Sequence, residues 1–85
     1  MIQSDVLYSI ADTLEARKSA ASSSSYVASL FQKGEDAILK KVAEESAEVL
    51  MASKDGDKLH LVRETADLWF HSLVPLAYHN LRPED

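Results

Sequence analysis

Apolar residues recur along this chain at intervals of three and four, and no stretch shows the alternation of a half-buried strand, so the pattern predicts helices throughout. Val6, Leu7, Ile10, Ala11 and Leu14 share one face of a first helix within residues 1–18. Ser4 or Asp5 can cap it, and Arg17 and Lys18 suit its C-terminal dipole. The serine-rich run 19–25 reads as a connector, because its hydroxyls compete for backbone hydrogen bonds. Its last serines can cap a short helix over 26–33 carrying Tyr26, Val27, Leu30 and Phe31, and Gly34 supplies the left-handed residue that ends it.

A longer helix follows over 35–53, opened by Glu35 and Asp36, with Ile38, Leu39, Val42, Ala43, Val49 and Leu50 as its apolar face. Lys54-Asp55-Gly56-Asp57 predicts a tight turn, Gly56 for positive φ and Asp57 as the next N-cap, which makes the flanking helices antiparallel neighbours. The last helix, over 58–79, carries Leu59, Leu61, Val62, Ala66, Leu68, Trp69, Leu73, Val74, Leu76 and Ala77, apolar around much of its circumference and therefore expected at the centre of a bundle. Pro75 inside it predicts a kink or an early end, and Leu81 to Asp85 read as coil. The fold class is all-α: one antiparallel helical bundle over residues 1–85.

Length changes this picture in one respect. Eighty-five residues lie near the lower end of what buries an adequate core alone, so oligomerisation is expected to complete the bundle. The absence of cysteine removes disulfides and thiolate metal sites, and fits a reducing compartment. No apolar run approaches the roughly 20 residues of a membrane span, and Met1 to Asp5 lack the features of a secretory signal, so the expected address is the cytoplasm with no membrane partner. A formal net charge of −5 has the wrong sign for coating nucleic acid. If phosphate is handled here, a metal must help.

Five carboxylates stand in the apolar helices, Glu44, Glu45 and Glu48 on one and Glu64 and Asp67 on the next. Charge in such surroundings is costly unless a cation or protons compensate it. Glu45 and Glu48 project within about 60° of each other, and His60, Glu64, Asp67 and His71 fall on a similar stripe of the last helix. Packed antiparallel, the two stripes bring Glu45, Glu48, Glu64 and Asp67 together as ligands for Mg²⁺ or Mn²⁺, the cations that hard carboxylate oxygens select. Glu44 points further outward, and is expected either to support the ligands from outside or to face substrate. Taken singly, a helical Glu is usually part of a solvated face whose ion pairs contribute a few tenths of a kcal/mol; the five together point to a metal site. His60 and His71 are expected as hydrogen-bond or packing residues beside the acids, and Trp69 and Phe70 as core or interface. Lys41, on the carboxylate stripe, and Lys33, beside Gly34, are the candidate phosphate contacts.

Glu-Glu-x-x-Glu followed by Glu-x-x-Asp resembles the signature of the all-α, MazG-like nucleoside triphosphate pyrophosphohydrolases. The blocks Ser25 to Leu30, Lys33-Gly34, Ile38 to Val42, Lys54 to Asp57 and Glu64 to Leu76 are closer still to the phosphoribosyl-ATP pyrophosphohydrolase family of histidine biosynthesis. The resemblance covers about Ser25 to Leu81. It implies Mg²⁺-dependent hydrolysis of 1-(5-phosphoribosyl)-ATP to the AMP form and pyrophosphate, in a cytoplasmic homodimer or higher oligomer. Glu44, Glu45 and Glu48 are then the candidate catalytic carboxylates, with the choice of base open. Ala43 stands where the family usually has glycine, which favours the helix slightly. The family usually continues past the position of Asp85 into another short helix, and whether this protein has that element is left open by the resemblance. The competing expectations are a house-cleaning hydrolase of canonical or damaged nucleotides and a non-catalytic helical dimerisation module.

Overall fold

A computed structural model describes residues 2–85. Four α-helices follow in order, α1 (Ile2–Arg17), α2 (Tyr26–Lys33), α3 (Glu35–Asp55) and α4 (Lys58–Tyr78), and there is no strand among the described residues. Helix α1 starts at Ile2, so Ser4 and Asp5 lie inside its first turns and do not cap it; Asp5 still has the sign that the N-terminal dipole favours. The serine run holds one turn of 3₁₀ helix at Ser22–Ser24. Ser25 then caps α2, its hydroxyl accepting from the Ala28 amide at 2.9 Å.

Two glycines set the helix junctions. Gly34, at φ 99°, ends α2 by donating its amide to the Leu30 carbonyl and lets α3 begin in the next residue. Gly56, at φ 76°, ends α3, and the Asp57 carboxylate accepts from the His60 amide at 3.1 Å to start α4. Both φ values are ones that side-chain-bearing residues rarely adopt. The short link leaves α3 and α4 as the most extensively packed pair, two 21-residue helices side by side.

Helix α4 does not end early at Pro75 but continues to Tyr78. Pro75 removes one amide, the partner of the His71 carbonyl, yet Val74 and Ala77 on either side are buried and hold the last turn in place. Asn80, at φ 62°, and Leu81 close the helix, the Leu81 amide reaching back to the Leu76 carbonyl at 2.7 Å. The terminal coil is tied to α1 by Arg82 on Asp12 at 3.0 Å, and Lys18 donates to the Asn80 side chain at 3.0 Å.

Leu14, Leu30, Ile38, Val74 and Ala77 form the buried core, one contribution at least from every helix, with Ile10, Val27, Phe31, Phe70 and Leu73 packed around it. Leu14 is 1% exposed, and truncating it leaves a cavity that the surrounding helices can only partly close. Leu14→Ala is expected to cost about 2–5 kcal/mol, read as a lower urea midpoint at unchanged slope. That is a large share of the roughly 4–13 kcal/mol available to a chain of this length. The expectation that α4 is central holds for Val74 and Ala77 and fails for its other side: Leu59, Val62 and Trp69 are exposed, as is Leu50 on α3.

Candidate metal and substrate site

The carboxylates converge where α3 and α4 face each other. Oxygens of Glu45, Glu64 and Asp67 come within 4.8 Å of one another, and a second group, Glu48, His60 and Glu64, meets the same distance. Glu64 belongs to both. Between the acids, Ser46 and Thr65 turn their hydroxyls back to the carbonyls of Val42 and Leu61, at 2.9 and 2.8 Å.

Of the acids singled out by their spacing, Glu45, Glu48, Glu64 and Asp67 are therefore adjacent, and Glu44 is in neither group. Its side chain is 50% exposed against 12% for Glu45. The residue that spacing undervalued is His60, whose Nε2 lies 3.7 Å from Glu64. The signal was present in the four-residue step from His60 to Glu64, which places both on one stripe of α4. The carboxylate oxygens of Glu45, Glu48, Glu64 and Asp67 fit a hard divalent cation such as Mg²⁺ or Mn²⁺, whereas the imidazole of His60 is a donor that softer metals prefer.

Lys41 lies against this cluster, with Nζ 3.3 Å from Glu45 and 3.7 Å from Glu44. Partial burial is the largest single influence on its ammonium and opposes the charge, but the hydrogen bond to Glu45 and the proximity of Tyr26, Glu45 and Glu44 together hold its pKa above the ordinary lysine value. Lys41 thus stays charged at neutral pH and links the outward Glu44 to the half-sheltered Glu45. Lys33 is exposed in the last turn of α2 and makes no ion pair among the described residues.

Behind the acids, His71 is buried and fully engaged. Its Nδ1 is 2.8 Å from the Asp67 carbonyl, which can only accept, so the proton sits on Nδ1 and Nε2 is left to accept from the Tyr26 hydroxyl at 2.9 Å. His71 is a hydrogen-bond partner of the site's backbone, as its sequence context suggested. Phe70 packs edge-on against the same ring. Tyr26 and Phe70 also line an open groove of about 450 Å³ between α1, the start of α2 and α4.

With this geometry in view, the comparisons with known proteins are specific. The profile of the family described as phosphoribosyl-ATP pyrophosphohydrolase matches residues 7–85. A curated protein of Chromobacterium violaceum named phosphoribosyl-ATP pyrophosphatase is 80% identical over 81 residues, which cover 95% of this chain and 75% of that protein. A protein of the same name from Nitrosospira multiformis is 62% identical over 85 residues, all of this chain and 70% of that one. A third, from Neisseria gonorrhoeae, is 61% identical over 80 residues, 94% of this chain and 75% of the relative. The acidic signature, its convergence between α3 and α4 and the match over almost the whole length agree: this chain belongs to the phosphoribosyl-ATP pyrophosphohydrolase family, within the MazG-like all-α superfamily.

Proposed function

We propose that this chain hydrolyses 1-(5-phosphoribosyl)-ATP to 1-(5-phosphoribosyl)-AMP and pyrophosphate in histidine biosynthesis. The observation that carries the reaction class is the convergence of two acidic groups on Glu64. The substrate rests on the family and on the names of its members.

Glu45, Glu48, Glu64 and Asp67 would hold Mg²⁺, with Mn²⁺ as an alternative and His60 beside them. A bound divalent cation supplies charge neutralisation of the triphosphate and polarisation of the phosphoryl group. The chain's own residues do the rest. Lys41 and Lys33 contribute positive charge for phosphate oxygens that the acids alone would repel. Glu44, Glu45 and Glu48 are the carboxylates able to take a proton from an attacking water, and Glu44 stands outside both groups, 3.7 Å from Lys41. The exposed Leu59, Val62 and Trp69 are the surface that a homodimer would cover, and we place the protein in the cytoplasm. Among the described residues, no helix is long and apolar enough to cross a membrane.

The test is pyrophosphate release from phosphoribosyl-ATP and from a panel of dNTPs, with and without Mg²⁺. Phosphoribosyl-ATP is expected to lead in kcat/KM by at least about 100-fold, the discrimination that roughly 3 kcal/mol of added contacts provides. Turnover of it should vanish with chelator. Equal or faster hydrolysis of dNTPs would assign the chain to nucleotide house-cleaning instead.

A further inference from the structure

The proposed substrate has two anionic ends, a triphosphate and, beyond the purine, a single 5′-phosphate on the second ribose. The acidic cluster accounts for the first through its cation. It cannot serve the second, because carboxylates without a metal repel phosphate. A second anion site must lie elsewhere, within one substrate length, and must carry its own positive charge.

We propose, resting on the function assigned above, that the groove between α1, the start of α2 and α4 seats the phosphoribosyl end, with Arg17 contacting its 5′-phosphate. The groove begins at the metal cluster's edge: Phe70 on its wall is three residues from Asp67, about 4.5 Å along α4. Its other near wall is Tyr26, joined to Asp67 by the hydrogen bonds through the buried His71. The Tyr26 hydroxyl donates its hydrogen bond to His71 Nε2, so its lone pairs are free to accept from a ribose hydroxyl.

The lining has the right chemistry for a sugar phosphate next to a base. Ile10, Leu14, Val27 and Phe70 make it largely apolar, and a volume of about 450 Å³ lies within the range of small-molecule sites. One charged residue lines it, Arg17, and no acid does. Lys18, Lys41 and Arg82 are each held by carboxylates, whereas Arg17 makes no ion pair among the described residues. An unpaired guanidinium on the wall of a largely apolar groove is suited to bidentate contact with a phosphate.

Steady-state kinetics of the full chain with Mg²⁺ test this. Arg17→Ala is expected to raise KM for phosphoribosyl-ATP about tenfold or more, with kcat changed by less than about threefold, because a contact remote from the reacting phosphoryl group holds ground state and transition state alike. Arg17→Lys should restore part of the loss. Inhibition by pyrophosphate, which occupies the metal end alone, should be unmoved by either change, and Lys54→Ala in the last turn of α3 should alter none of these values. An unchanged KM in Arg17→Ala overturns the assignment. So does a parallel weakening of pyrophosphate inhibition, which would place Arg17 at the triphosphate. Failure of the parent function is visible separately, as a wild-type chain that favours dNTPs over phosphoribosyl-ATP.

Discussion

Glu64→Gln is expected to lower pyrophosphate release at least about a thousandfold, or ~4 kcal/mol of barrier, with the helical content intact. Glu64 is the one side chain common to both acidic groups, so its replacement removes a ligand from each, whereas Glu45, Glu48 or Asp67 belongs to a single group. The substitution keeps the size, deletes the charge and turns one acceptor oxygen into an amide donor that cannot bind a cation. Its effect on stability should have the opposite sign. Carboxylate oxygens even at the outer limit of 4.8 Å repel by roughly 1–3 kcal/mol between the limits of water and an effective dielectric of 20, so without metal the variant should melt at or above the wild-type temperature. The wild type should gain stability as Mg²⁺ is added, by mass action on the folded state, and the variant should gain far less. Thermal melts with and without Mg²⁺, run beside the activity assay, separate a ligand from a structural glutamate. Full turnover in Glu64→Gln, or an equal Mg²⁺-dependent shift in both proteins, would sink the metal assignment.

The convergence of the acids in the candidate site was largely legible in the sequence because helices convert spacing into direction. Four residues from Lys54 to Asp57, with one glycine and one capping aspartate, force α3 and α4 to lie side by side, and the angular step of 100° per residue then sorts Glu45 from Glu44. Their unequal exposure follows that angle. What spacing cannot convey is depth along the pair. It grouped four acids as one set, whereas the structure gives two overlapping sets with His60 in the second, because Glu45 and Glu48 are one turn apart along α3 and meet different turns of α4. Of the two outcomes that Pro75 allowed, a kink or an early end, the early end does not occur: a lost amide argues for a break, but the burial of Val74 and Ala77 favours continuing the helix. The Tyr26–His71 contact joins residues 45 apart and has no signature in local periodicity at all.

Apolar periodicity also overstated what one copy of the chain can bury. Leu50 is 69% exposed, Val62 64% and Trp69 60%, so α3 and α4 carry more apolar surface than α1 and α2 can cover. Two positions separate Asp67 from Trp69, a rotation of about 200°, which puts the acids and the indole on opposite sides of α4. The candidate metal site thus faces α3 while the bare apolar side faces outward.

Trp69→Glu is therefore expected to split the proposed homodimer without disturbing the carboxylates. Trp69 borders three adjoining apolar hollows, shared with Leu61 and Val62, with Val6 and Ala66, and with Leu7 and Leu73. Such a central aromatic contributes on the order of 2–4 kcal/mol to association, and a glutamate in its place would be buried without a partner. The dissociation constant should rise at least about a thousandfold, equivalent to ~4 kcal/mol, and sedimentation at micromolar concentration should show the variant as a monomer where the wild type is dimeric. The wild type's melting temperature should climb with protein concentration and the variant's should not, since association stabilises only the folded chain. Mg²⁺ binding measured by calorimetry should survive in the variant, because its ligands lie on the far side of α4. A wild-type chain that sediments as a monomer at all concentrations would show that this apolar face is not an interface between copies.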